Sequence, residues 1–216
     1  MAVLDVVVES AGAVGAAPWS VAEVPAFGWV VVSGRMTPAG VGTVLATMAV
    51  YAGLLGDEEG APVDAREVVA GLVAAEKIIA PGGLRARDER TGAVVVPGCC
   101  AGLEDWREWS GLAGGDDGPW LGHDPAPWFE RDGGLLRLWP DGPLTRAAPT
   151  RSPNGPPVDF VVTELSGLLC GVREDLAGFL DRTAEWAARN APGLAASLVA
   201  KLDADLRVGG ADPDQG

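Results

Sequence analysis

The sequence is poor in cysteine and histidine. Among its 216 residues there are three cysteines and one histidine. An odd cysteine count without a regular spacing argues against a disulfide-stapled secreted domain and favours a reducing compartment. A chain of this length can bury a sizeable core without disulfides or metals. We therefore expect apolar residues, which make up 48% of the chain, to hold the fold together.

Positive charge is scarce as well. Lysine and arginine number 16 against 30 acidic residues, which gives a net charge of −14. An acidic chain repels phosphate backbones, so no nucleic-acid partner is expected. The lysines are Lys77 and Lys201, and neither stands in a phosphate-binding loop pattern. Gly40 and Gly42 follow a predicted strand, but Leu45 occupies the place of the third glycine of a dinucleotide-binding turn. We expect no cofactor.

Charged residues are missing from one long segment, 36–56. It is long enough to span a membrane, but its glycine, threonine and alanine residues lower its hydrophobicity, and no basic cluster flanks it. A buried core helix is therefore predicted. Asp5 and Glu9 stand where a signal peptide carries positive charge. We therefore expect a cytoplasmic protein without a membrane segment.

The composition is biased towards Ala, Gly, Val, Pro and Arg. This bias is typical of proteins from GC-rich bacterial genomes.

Hydrophobic periodicity predicts both strands and helices. Predicted strands cover 3–9, 27–34 and 158–162, and predicted hairpins cover 84–98 and 128–139. Predicted helices cover 38–55, 64–79, 102–113 and 165–186, and a last helix begins at Pro192. Strands and helices do not alternate regularly, which predicts an α+β fold with a small antiparallel or mixed sheet packed against about five helices.

Proline is concentrated in one place. Six prolines fall within 140–157, which indicates a surface loop or an interdomain linker. We interpret 1–208 as a single α+β domain that contains this segment. Residues 209–216 are polar and are predicted to form a disordered tail.

The adjacent pair Cys99 and Cys100 and the single histidine, His123, all lie within 97–130. A thiol at the start of a helix can act as a nucleophile, with His123 as its base, oriented by Asp124. Cysteines are also among the most buried residues, so the pair can equally pack at a strand–helix junction. No thiol-enzyme signature surrounds them, and their spacing differs from that of structural zinc sites. The sequence favours packing and predicts no catalytic residue and no metal ligand.

Tryptophans and acidic residues are concentrated in 101–142. Residues 101–142 contain nine acidic residues and three arginines, a local balance of −6. Tryptophan is enriched at interface hot spots, and an acidic rim suits a basic protein partner. Core packing and a merely solvated face are the alternatives. The candidate binding residues are Glu104, Asp105, Trp106, Glu108, Trp109, Asp116, Asp117, Trp120 and Asp124.

Two segments, PWLGHDPAPWFERDGGLLRLWPDG (119–142) and REDLAGFLDRTAEWA (173–187), resemble the SUKH immunity superfamily. The resemblance lies in a Trp-bearing strand region followed by a C-terminal helix that carries the pattern LAGFL at 176–180. It covers the C-terminal half of the chain and includes no catalytic motif. It implies a protein that neutralises a toxin or binds another partner without catalysis.

These observations together predict a non-enzymatic cytosolic interaction protein, of the immunity or adaptor type, that binds a basic protein such as a toxin. The first alternative is a small thiol-dependent hydrolase or transferase that uses Cys99 or Cys100 with His123. The second is a scaffold subunit that assembles through its tryptophan-rich surface. The identity of the partner and the oligomeric state are open at this point.

Overall fold

The computed structural model describes residues 1–55, 64–141 and 155–210, and within these ranges the fold is α+β, as predicted. Two small antiparallel sheets have the strand orders β2-β1-β3-β4 and β5-β6-β7. The strands are β1 (Ala2–Glu9), β2 (Trp29–Val31), β3 (Gly82–Asp88), β4 (Val94–Val95), β5 (Trp128–Asp132), β6 (Leu135–Trp139) and β7 (Val158–Val161). The α-helices of these ranges are α1 (Pro38–Tyr51), α2 (Ala65–Ala74), α3 (Gly111–Gly114), α4 (Leu165–Asn190) and α5 (Ala195–Leu206).

The chain divides into two compact units. The first unit comprises Met1–Val7 and Pro81–Arg173, and the second comprises Val8–Ala80 and Glu174–Gly216. The interpretation of 1–208 as a single domain stays a prediction. Within the proline-rich segment, residues 142–154 lie outside the described residues, and so do residues 211–216 of the tail.

In the first unit, β1 and β3 are joined by an ion-pair cluster around Asp5. Its carboxylate accepts hydrogen bonds from Arg87 Nε at 2.6 Å and from Arg85 Nη2 at 2.8 Å. Burial alone would raise the pKa of Asp5, but the hydrogen bonds and charges of Arg87 and Arg85 hold the pKa below its ordinary value. The cluster therefore stabilises the pairing of these strands while Asp5 is ionised.

The sheet β5-β6-β7 contains the predicted hairpin of 128–139. Gly133 has a φ of 58° in the two-residue turn, a left-handed conformation that glycine adopts without a Cβ penalty. Trp128 and Trp139 are paired in the register, and their rings stack with centroids 5.9 Å apart. Leu136 and Leu138 are buried, so the hairpin packs one face into the core and carries Trp128 at its end.

Residues 103–110 form a 3-10 helix followed by the single turn of α3, where a short helix over 102–113 was predicted. A 3-10 helix has three residues per turn, so side chains three apart point in the same direction. Leu103, Trp106 and Trp109 have that spacing, and all three are buried. The tighter helix thus aligns these three apolar side chains along one face.

In the second unit, α1 is the buried helix that the uncharged segment predicted. Thr37 Oγ1 accepts a hydrogen bond from the Gly40 amide at 3.1 Å, and Pro38 occupies the first helical position. Ten residues of the helix are buried. Among the described residues, no helix combines the length and the apolar character needed to cross a membrane.

The second unit also buries a pair of tryptophans. Trp19 and Trp186 pack edge to face with ring centroids 4.9 Å apart. The indole N–H of Trp19 donates to the Gly42 carbonyl at 2.8 Å. A Cβ at Gly42 would lie 2.4 Å from the Ser20 carbonyl oxygen, so a glycine is required where Trp19 lies against α1.

Candidate functional site

A two-stranded bridge in the first unit brings the cysteine pair to the histidine. The Cys99 amide donates to the His123 carbonyl at 2.6 Å, and the His123 amide donates to the Cys99 carbonyl at 3.1 Å. The Gly98 amide adds a third hydrogen bond, to the Leu121 carbonyl at 2.7 Å. Backbone hydrogen bonds therefore fix residues that lie 24 positions apart in the chain.

Glycines make this bridge sterically possible. A Cβ at Gly98 would lie 1.9 Å from the Pro125 carbonyl oxygen. At Gly122, where φ is +94°, a Cβ would lie 2.5 Å from Gly98 backbone atoms. Only residues without a Cβ allow the two segments to approach this closely.

The sulfur atoms lie side by side because the chain turns at Cys100. In an extended strand, successive side chains point to opposite faces. Cys100 instead has a φ of 68°, in the left-handed region that residues other than glycine rarely adopt. The Sγ atoms of Cys99 and Cys100 are consequently 3.3 Å apart.

His123 completes a compact cluster, which we call the Cys–His cluster (Cys99, Cys100 and His123). One potential ligand atom from each residue lies within 4.8 Å of the other two. His123 Nδ1 lies 3.3 Å from Asp124 Oδ2, and the His123 side chain is 38% exposed. This arrangement offers two thiols and an imidazole to solvent.

The exposure of both cysteines shows that the packing interpretation was wrong. The first helical residue is Leu103, three residues after Cys100, and the intervening Gly102 is the N-cap. Neither thiol therefore lies at a helix N-terminus. The pairing with His123 requires the bridge and the two glycines, neither of which the cysteine spacing reveals.

A cleft of about 390 Å³ lies beside this cluster. We call it the Trp120 cleft; its lining residues are Asp117, Gly118, Pro119, Trp120, Leu121, Pro127, Trp128 and Phe129. The Trp120 side chain is 59% exposed, and its ring centroid lies 6.4 Å from that of His123. The cleft therefore combines aromatic walls with one acidic residue, Asp117.

The predicted binding residues separate into two groups. Glu104, Trp106 and Trp109 are buried. Trp109 packs edge to face on Phe129, with ring centroids 5.2 Å apart, so it supports a wall of the cleft from within. The exposed residues of the set are Glu108, Asp116, Asp117, Trp120 and Asp124, and Asp105 is half-buried.

The three arginines of 101–142 make contacts with other groups of the chain. The Arg107 guanidinium lies 4.8 Å from the centre of the Trp106 ring, Arg131 donates to the Leu112 carbonyl, and Arg137 pairs with Asp159 at 3.0 Å. These contacts fix the positions of the arginine side chains, and the nine acidic residues of 101–142 outnumber them.

The structure also identifies site residues that the sequence did not suggest. Gly118, Pro119, Pro127 and Phe129 line the cleft, yet each is an ordinary loop or core residue in the sequence. Gly98 and Gly122 were the sequence signal for the bridge between Cys99 and His123, because glycine is often found where two backbone segments approach closely.

Protein-family models, curated proteins and solved structures were compared with the chain, and none of them matches it.

Proposed function

We propose that this protein is a non-enzymatic interaction protein whose Trp120 cleft receives a basic side chain of a partner protein. The observation that carries the proposal is the largely exposed Trp120 ring in a cleft that also contains Asp117. A large aromatic ring exposed beside a carboxylate does little for stability and suits recognition.

The chemistry of the cleft favours arginine or lysine as the group that binds. A cation over a tryptophan face within about 6 Å is stabilised by the ring quadrupole, by about 0.5–1 kcal/mol at an exposed site. Trp120 provides such a face, and Asp117 provides the opposite charge. Arginine fits best because its planar guanidinium can stack on a ring and donate to a carboxylate simultaneously.

The surrounding charge supports the same class of partner. Glu108, Asp116 and Asp124 are exposed, and the chain as a whole has a net charge of −14. Acidic surfaces accelerate encounters with basic proteins, and salt weakens this effect. The partner is therefore expected to bind faster at low ionic strength.

An immunity-type or adaptor role in the cytoplasm accords with the SUKH resemblance of the C-terminal half. In that role the acidic surface would cover a basic toxin, as an inhibitor does when it complements the charge of an enzyme. The neutralising activity is part of the proposal and rests on the resemblance and on the charge.

The cleft is tested with a dye-labelled, unstructured arginine-rich peptide and the full chain, by following the fluorescence anisotropy of the dye. Trp120→Ala and Asp117→Asn should each weaken binding about 3- to 5-fold, the loss expected for one cation–π or one exposed ionic contact. The matched controls are Phe27→Ala and Glu23→Gln in the second unit, where both residues are exposed.

The peptide experiment has a clear negative outcome. If all four variants bind the peptide as the unmodified chain does, binding is due to net charge alone and the cleft has no part in it. If the partner pulled down at low salt from the native cell is equally retained by Trp120→Ala, the cleft is not the recognition site.

The Cys–His cluster supports the alternative, a thiol-dependent hydrolase or transferase, because it places both thiols close to an imidazole. None of its residues lines the Trp120 cleft. Alkylation of the native protein by iodoacetamide across pH tests this alternative. A thiol that His123 activates should react faster than Cys170 at neutral pH, and equal rates would contradict activation.

A further inference from the structure

We propose that the Cys–His cluster binds one zinc ion through the thiolates of Cys99 and Cys100 and one ring nitrogen of His123. This inference rests on a different set of residues from the Trp120 cleft. Thiolate sulfur and imidazole nitrogen are the donors that Zn²⁺ prefers in proteins. Among the described residues, this is the cluster of three such groups whose ligand atoms come together.

The distances between the ligand atoms are close to those around a tetrahedral ion. With Zn–S bonds of about 2.3 Å and a Zn–N bond of about 2.0 Å, the ligand atoms of a tetrahedron lie about 3.5–3.8 Å apart. The two sulfurs are 3.3 Å apart, and all three ligand atoms lie within 4.8 Å of one another. Small side-chain rotations therefore bring the three atoms to bonding distance, and the backbone can stay in place.

The backbone already holds the ligands near one another. The Cys99–His123 bridge supplies two reciprocal hydrogen bonds, and the turn at Cys100 directs its sulfur to the same side as that of Cys99. A preformed site loses little conformational entropy when the ion binds. The bridge uses main-chain atoms, so substitutions of the three side chains should leave it intact.

Asp124 is placed to orient the histidine. Its Oδ2 lies 3.3 Å from His123 Nδ1. When Nδ1 carries the proton and donates to this carboxylate, the lone pair of Nε2 is available to the metal. Carboxylate–histidine–zinc arrangements of this kind fix the tautomer and strengthen the ligand.

Three protein ligands distinguish this site from structural zinc sites, which close the coordination sphere with four. Both cysteines are exposed and His123 is partly exposed, so water or an external ligand can take the fourth position. We therefore infer an accessible zinc ion that exchanges with solution and can bind a further donor group.

The first experiment titrates the full, reduced and metal-free chain with Zn²⁺ and with Co²⁺ as a spectroscopic substitute. One ion per chain should bind, and Co²⁺ should give a thiolate charge-transfer band and the intense visible bands of a tetrahedral site. Cys99→Ser, Cys100→Ser and His123→Gln should each lower the affinity more than about 100-fold, and Asp124→Asn about 10-fold. Cys170→Ser removes the remaining exposed cysteine and should change nothing.

A second measurement does not depend on variants. All three cysteines are exposed, so iodoacetamide should modify three thiols without metal and only Cys170 when zinc is bound. X-ray absorption of the zinc complex should show two sulfur ligands. The proposal is overturned if Cys99→Ser and Cys100→Ser keep the cobalt spectrum, if zinc protects no thiol, or if the zinc shell contains no sulfur.

Discussion

The two units use tryptophan in different ways. In the second unit, Trp19 and Trp186 are buried against each other, and the indole N–H of Trp19 is hydrogen-bonded to Gly42. In the first unit, Trp120 is largely exposed in a cleft beside the Cys–His cluster. Burial of an aromatic ring stabilises the fold, whereas exposure makes the ring available to a partner. Variants of the two units should therefore separate loss of stability from loss of binding.

The largest effect is expected from Trp186→Ala. It removes the edge-to-face contact with Trp19 and leaves a cavity, which should lower the free energy of unfolding by about 3–5 kcal/mol. Urea unfolding followed by far-UV circular dichroism measures the change. Trp186→Phe, the matched control, keeps an aromatic ring and should lose less. A loss below about 1 kcal/mol in the alanine variant would show that this pair does not support the second unit.

Gly122→Ala should come next and should affect the first unit. The new Cβ would lie 2.5 Å from Gly98 backbone atoms in a conformation with φ of +94°, so the Cys99–His123 bridge should open. We expect a loss of about 1–3 kcal/mol in the free energy of unfolding and loss of zinc binding.

The control for this variant is Gly133→Ala, in the turn between β5 and β6. Its φ is +58°, and no atom lies within 4 Å of the position that the alanine Cβ would occupy, so only the left-handed penalty of about 1 kcal/mol applies. Zinc affinity should be unchanged. Equal zinc affinity in both variants would contradict the role of the bridge.

Asp5→Asn should have a smaller effect that depends on pH. The pKa of Asp5 is lowered in the folded protein, so its stabilising effect is complete above its ordinary pKa of 3.8 and is lost as the pH falls through the folded value. At neutral pH the variant should lose about 1–2 kcal/mol, the contribution of hydrogen bonds to a charged group.

The pH dependence separates this effect from a packing defect. The difference in urea midpoint between Asp5→Asn and the unmodified chain should shrink as the pH is lowered below 4. A difference that stays constant across that range would indicate that Arg85 and Arg87 are not the cause.

The smallest effect on stability is expected from Trp120→Ala. Because the ring is largely exposed, the free energy of unfolding should change by less than about 0.5 kcal/mol, although affinity for the arginine-rich peptide should fall. Thermal unfolding and the peptide titration of the same preparation check both statements. A large loss of stability would place Trp120 with the core tryptophans and would remove the contrast between the two units.

Local features of the sequence predicted most of the secondary structure. Thr37 and Pro38 identify the start of α1, because a hydroxyl cap and a proline at the first position are local signals. The glycines at 133 and 134 likewise identify the hairpin turn. The 3-10 geometry of Leu103–Ser110 was not predicted, because the spacing of Leu103, Trp106 and Trp109 puts them on one face of an α-helix as well as of a 3-10 helix.

The candidate site was harder to predict because it depends on contacts between distant residues. Trp106, Trp109 and Trp120 all have acidic residues nearby in the sequence, and it is the fold that buries the first two and exposes the third. Cys99 and His123 meet through backbone hydrogen bonds whose register leaves no periodic pattern in the sequence. The composition singled out residues 97–130 as the candidate region, and the three-dimensional contacts determine which atoms are available there.

The left-handed turn at Cys100 also makes this protein easy to label at one point. Two sulfurs 3.3 Å apart on one side of the chain can both bond to a single trivalent arsenic atom. Cys170 lies on α4 with no second cysteine beside it in the sequence, so it can offer such a reagent only one bond. A phenylarsine dye, which carries one arsenic atom, should therefore attach at 99–100 in preference to 170, and a fluorophore placed there would lie next to the cleft in which we expect the partner to bind.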